Sequence, residues 1–137
     1  MRFLQPPGWP RPKGYANGVE AEGRFVFTAG QIGWNAEERF ESDDLVDQIR
    51  QTLTNVRAVI AEAGAGPEHL VRLTWYVTDM DGWRSRRKEI GEAYRAVFGK
   101  AFPPMACVAV AALVEPRAKV EIEAVAVIPD PQEPTVP

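Results

Sequence analysis

Two hydrophobic rhythms alternate along the chain between residues 14 and 128. Val71, Leu73, Trp75 and Val77 recur at every second position with Arg72, Thr74 and Tyr76 between them, which predicts a half-buried strand. Leu45, Ile49, Leu53, Val56 and Ile60 recur every three or four positions. That spacing predicts a helix over 42–63, with Ser42 or Asp43 as N-cap and Gly64 as the stop. A second helix is predicted from about Trp83, with Ile90, Tyr94, Val97 and Phe98 on its apolar stripe, Asp81 near its start and Gly99 at its end. Arg84, Arg86, Arg87 and Lys88 fall on the other side and read as a solvated helix face, with a ligand role for one arginine left open.

Two further apolar runs follow. One begins at Met105 after the Pro103-Pro104 stop and runs to Val110. The other, Val120 to Val127, puts Val120, Ile122, Ala124 and Ala126 on one face and Glu121, Glu123, Val125 and Val127 on the other. Gly23, between Val19-Glu20-Ala21 and Arg24 to Thr28, predicts an opening hairpin. Two helices cover only one face of such a sheet. The face that is acidic at one end and apolar at the other therefore needs a second cover, which oligomerisation supplies. Eight of the twelve prolines lie at positions 6, 7, 10 and 12 and at 129, 131, 134 and 137. Irregular segments are expected over 1–13 and 129–137, flanking a single domain over 14–128.

Charge and cysteine content narrow the function classes. Sixteen basic and nineteen acidic residues leave a net charge of −3 without a basic band, so nucleic acid is not the expected partner. The single cysteine cannot form an internal disulfide, and no apolar run is long enough for export or for a membrane span. A cytoplasmic protein is expected.

Glu121 is the first candidate for chemistry. A carboxylate on a central strand beside Val120 and Ile122 is partly desolvated, the condition under which an acid takes and returns a proton near neutral pH. A buried acid paired with an arginine has the same sequence signature. Glu123 reads as a rim carboxylate in a surface ion pair. Cys107 reads as a buried core thiol, because the one histidine, His69, lies in the Pro67-Glu68-His69 turn before a different strand. One histidine and one cysteine do not make a metal site. Trp75 reads as core, and Gly30 as a turn glycine needing a positive φ.

Gly30-Gln31-Ile32, Tyr76-Val77-Thr78-Asp79 and the block from Cys107-Val108 to Glu121-Ile122-Glu123-Ala124 resemble the RidA/YjgF/L-PSP family, with the resemblance covering nearly all of 14–128. It implies a chorismate-mutase-like α/β (α+β) sandwich, a mixed sheet with two helices on one face, assembled as a homotrimer with pockets between subunits. It also implies hydrolytic deamination of reactive imines and enamines, with no cofactor and a small molecule as partner. On that resemblance Glu121 polarises the attacking water and the backbone carbonyl of Cys107 helps to hold it. Gly30 is the strand-end glycine near the ligand, and Tyr15 and Trp83 reach the pocket. Trp34, after the glycine-rich strand end, is a further pocket candidate.

One position departs from the pattern. The arginine that grips the substrate carboxylate in deaminating members is here Met105. A thioether offers dispersion and sulfur–ring contact of about 0.3–1.5 kcal/mol in place of a charge-assisted contact of about 1.5–3 kcal/mol. A larger, flatter or less carboxylate-dependent ligand is expected, or a trimer that binds a small molecule without catalysis. Endoribonuclease activity, associated with some relatives, fits poorly with the acidic balance.

Overall fold

The computed structural model describes residues 1–131. Its elements are β1 (Arg2–Leu4), β2 (Gly18–Glu20), β3 (Arg24–Phe27), β4 (Gln31–Ile32), α1 (Leu45–Ala61), a 3₁₀ turn (Pro67–His69), β5 (Leu70–Val77), α2 (Met80–Ser85), α3 (Arg87–Phe98), β6 (Met105–Ala109) and β7 (Val120–Ile128). The main sheet runs β3-β7-β5-β6, with β4 also on β7, and only the β5–β6 pair is parallel. A parallel pair needs a crossover, and α2 with α3 provides it. The fold is α+β, a mixed sheet with three helices.

The last two strands, β6 and β7, follow one another in sequence but are not neighbours in space. β5 lies between β6 and β7, so the sheet centre is built from two segments some 45 residues apart in the chain. Strict alternation on β5 holds at Leu73, Trp75 and Val77, all buried; a bulge between Leu70 and Arg72 breaks it, leaving Val71 half-buried. On β7, Val120, Ile122, Ala124 and Ala126 face the helices and are buried.

The predicted stripe Leu45, Ile49, Leu53, Val56 and Ile60 is buried against the sheet. The N-cap is Asp44 rather than Ser42 or Asp43: its carboxylate accepts the Asp47 N–H at 3.1 Å, and Ser42 braces it by accepting the Asp44 N–H at 3.0 Å. The second predicted helix is two. Arg86 leaves the helical region at φ −119° and ψ 29°, and Asp79 rather than Asp81 caps α2 by accepting the Gly82 N–H at 2.9 Å. Arg86 is therefore not a solvated surface charge. Its guanidinium donates to Asp44 at 2.5 Å and to Glu89 at 2.6 Å, tying α3 to the start of α1.

Two expectations for the N-terminal region are corrected. Residues 2–4 are not irregular, because the prolines start only at position 6 and leave Arg2, Phe3 and Leu4 free to pair with Glu20, Val19 and Gly18. Gly23 does not turn a hairpin either: β2 pairs with β1 and β3 with β7. It is a crossing point at φ 145°, where a Cβ would stand 2.0 Å from the Ile128 carbonyl oxygen. Residues 129–131 lie in no regular element, and the rest of the expected C-terminal segment lies outside the described residues.

Candidate active site

The open face of the sheet carries the acids. Register places Glu121 across from Tyr76 and from Ile32, and Glu123 across from Thr74. The Tyr76 hydroxyl donates to Glu123 at 2.9 Å, which pushes the tyrosine phenol up and gives Glu123 a phenol partner in place of the expected ion pair. Glu121 is half-buried and, among the described residues, its carboxylate makes no side-chain hydrogen bond or ion pair. The buried acid–arginine pair is thus absent from the described chain. Beside Glu121 lies Gly30, where a Cβ would be 2.6 Å from the glutamate Cδ. Gly30 does not have a positive φ, so close approach to Glu121, rather than a turn, explains the glycine. Phe25 and Phe27, 59% and 68% exposed, lie on the same side of the molecule's β3 edge and pack on each other at 6.2 Å.

The other face holds a cleft of about 560 Å³ between β5, β6 and α3. Met105 is level with Leu73 and Cys107 with Trp75, so both point to the helix side. Tyr15 and Trp83 line the cleft with them, joined by Trp75, Tyr94 and Phe102. Tyr94 is the hub: its ring stacks on Trp75 at 6.3 Å and on Phe102 at 5.3 Å, and its hydroxyl donates to the Ala101 carbonyl. Trp75 is core, as its alternation implies, and cleft wall as well. The indole Nε1 atoms of Trp75 and Trp83 are buried and have no hydrogen-bond partner among the described residues. Each such orphan donor costs about 1–3 kcal/mol, a cost that an acceptor from a ligand or a second subunit would offset.

Burial pushes the Cys107 thiol up to about 11, so it is protonated near neutral pH and is no nucleophile. Its backbone is better placed than its side chain. The Leu73 N–H donates to the Pro104 carbonyl and the Val110 N–H to the Val77 carbonyl, so even-numbered positions turn toward β5. In a parallel ladder the odd positions then turn outward, and the Cys107 carbonyl lies on the free edge of the sheet.

Tyr15, Trp83, Met105 and Cys107 are brought together. Glu121 and Gly30 are not with them: they sit on the opposite face, with Glu121 two strands from Cys107, about 10 Å at the usual strand spacing. Trp34 joins neither group. Its ring packs on Phe40 at 5.9 Å and its carbonyl accepts from Asn55 at 2.7 Å. Among the described residues no cluster of His, Cys, Asp or Glu is set to hold a metal, and no helix is long and apolar enough to cross a membrane.

The family model of Endoribonuclease L-PSP matches residues 10–128. The chain belongs to the RidA/YjgF/L-PSP family. The 2-iminobutanoate/2-iminopropanoate deaminase of Escherichia coli is 34% identical over 82% of this chain and 86% of its own length. Among solved structures, YyfB of the conserved Rid family from Yersinia pestis superposes with a TM-score of 0.82 at 32% identity, covering 93% of this chain and 98% of its own. Escherichia coli TdcF with bound serine superposes at 0.66 and 31% identity, covering 93% and 99%. Within this RidA-family chain, the sequence left a ligand role open for one arginine of the Arg84 to Lys88 run, and Gly91 and Arg95 of α3 were missed. Arg87, Gly91 and Arg95, spaced i, i+4 and i+8, all line the cleft, and that spacing was the available signal.

Proposed function

We propose that this RidA-family protein hydrolyses the C=N bond of reactive imines, with enamines entering as their imine tautomers, at a site shared between subunits of a homotrimer. The observation that carries the reading is the split itself. An unpartnered carboxylate, Glu121, with room made by Gly30, lies on one face of the sheet, while the cleft of Met105, Cys107, Tyr15 and Trp83 lies on the other. One chain cannot close the two around one ligand, but two chains can. The open face with Phe25 and Phe27 supplies apolar surface for that contact.

In the reaction, water held by Glu121 and the Cys107 carbonyl bonds through its oxygen to the imine carbon. Glu121 passes the proton lost by water to the nitrogen, which gives a carbinolamine. The hydroxyl proton then follows through Glu121 to the nitrogen, the C–N bond breaks, and ammonia and a carbonyl compound leave. Met105 shifts preference away from small 2-imino acids held through their carboxylate alone. That same substitution favours a second reading, a trimer that binds a small molecule without turning it over.

One experiment separates the two. Ammonia release is followed for wild type and Glu121→Gln on aliphatic and aromatic imines generated in situ by an amino-acid oxidase. The deaminase reading expects acceleration by wild type and a loss of about 10²–10⁴-fold in the variant. No acceleration of any imine by the assembled protein would sink it in favour of the binding reading.

A further inference from the structure

The cleft beside Met105 is electrostatically one-sided. Among the described residues Lys13, Arg87 and Arg95 line it and no carboxylate does. Among the described residues none of the three takes part in an ion pair. Arg95 is set in a particular way. Its Nη1 would be 3.3 Å, and its Cζ and Nη2 3.9 Å, from a Cβ on Gly91, so the guanidinium lies across the surface of α3 where a side chain is missing. A glycine inside a helix is unfavourable, and here its absent side chain is what leaves the fork flat at the cleft wall. One turn before Gly91 and two before Arg95, Arg87 stands 5.6 Å over the ring of Trp83. Cation and indole line the cleft together with an apolar floor of Met105, Tyr94 and Phe102.

We propose that the cleft takes an aromatic carboxylate, with Arg95 gripping the carboxylate in place of the arginine absent at position 105 and the ring lying between Trp83 and Met105. Substrates are then aromatic imino acids. This rests on the deaminase reading for the reaction, but not for the binding. A guanidinium fork pairs with a carboxylate through two hydrogen bonds, and unlike a lone ammonium it fixes the ligand's orientation. The cleft volume falls in the usual range of about 300–1,000 Å³ for small-molecule sites, and the floor matches a flat ring better than a short aliphatic chain. The unpartnered Trp75 Nε1, in a residue only 3% exposed, is a second sign that this wall is incomplete without an acceptor.

The test measures binding to the full-length protein by tryptophan fluorescence, with phenylpyruvate, the neutral ketone phenylacetone and 2-oxobutanoate as probes. Phenylpyruvate is expected to bind at least about tenfold more tightly than either of the others. Arg95→Gln should remove about tenfold or more of that affinity while leaving phenylacetone unchanged, and Arg95→Lys should recover only part of it. Gly91→Ala crowds the guanidinium yet favours the helix, so it should weaken phenylpyruvate several-fold with no fall in Tm. Phenylpyruvate binding that ignores Arg95→Gln, or that merely equals phenylacetone, overturns the inference even if imines are hydrolysed. Arg95-dependent binding without turnover of any imine supports the inference and removes the deaminase reading alone.

Discussion

Gly30 leaves open the space that the Glu121 carboxylate occupies: a methyl group there would stand 2.6 Å from Cδ and 2.7 Å from Oε2. The colliding atoms are the free end of a flexible side chain, so Gly30→Ala is resolved by swinging the carboxylate aside rather than by moving backbone. Expected are a Tm within a few degrees of wild type and a fall in kcat of about 10²-fold or more, measured by thermal unfolding and ammonia release. A variant that keeps full turnover would remove Glu121 from the reaction.

Asp44 serves two partners, capping α1 and receiving Arg86. The Arg86 hydrogen bond, followed by that of the Asp47 N–H, holds its carboxyl below the usual value. A depressed folded value means that the contribution is complete above the unfolded value of about 3.9 and is lost as pH falls through the folded one. Asp44→Ala should cost about 1 kcal/mol at pH 7 through the cap. Asp44→Asn keeps a capping oxygen and loses only the charge, so its deficit against wild type should shrink in urea unfolding as pH drops below about 4.

Cys107 separates a side-chain role from a backbone role. With the thiol pushed up to about 11, alkylation by iodoacetamide should be slow at pH 8 and climb with pH toward that value. Cys107→Ala keeps the carbonyl and should retain turnover within about threefold, whereas a thiol nucleophile would lose it outright.

Phe27 is 68% exposed on β3, beside Phe25. Under the trimer reading, a charge at this position is placed in a subunit contact. Phe27→Asp should therefore shift the light-scattering mass to that of a single chain and abolish turnover together, because Glu121 then has no cleft to meet. An unchanged mass would locate the contact elsewhere.

The chain's own pattern determined the stripe from Leu45 to Ile60, the alternation of Leu73, Trp75 and Val77, and the placing of Glu121 opposite in face to Ile122, because local periodicity fixes which side of an element a residue takes. The family was legible in short motifs such as Gly30-Gln31-Ile32 and Tyr76-Val77-Thr78-Asp79. Only the tertiary structure decided what lies across from what. Arg86 looked like one more surface charge until the break between α2 and α3 aimed it at Asp44, 42 residues away in the chain. Only the fold put Glu121 against Gly30 in place of the expected turn, and laid Arg95 over Gly91. Register did the rest: with Cys107 level with Trp75 and Glu121 level with Tyr76, the acid and the cleft fall on opposite faces, because a sheet's side-chain directions are local but the partners of each residue are set by pairing across the whole chain.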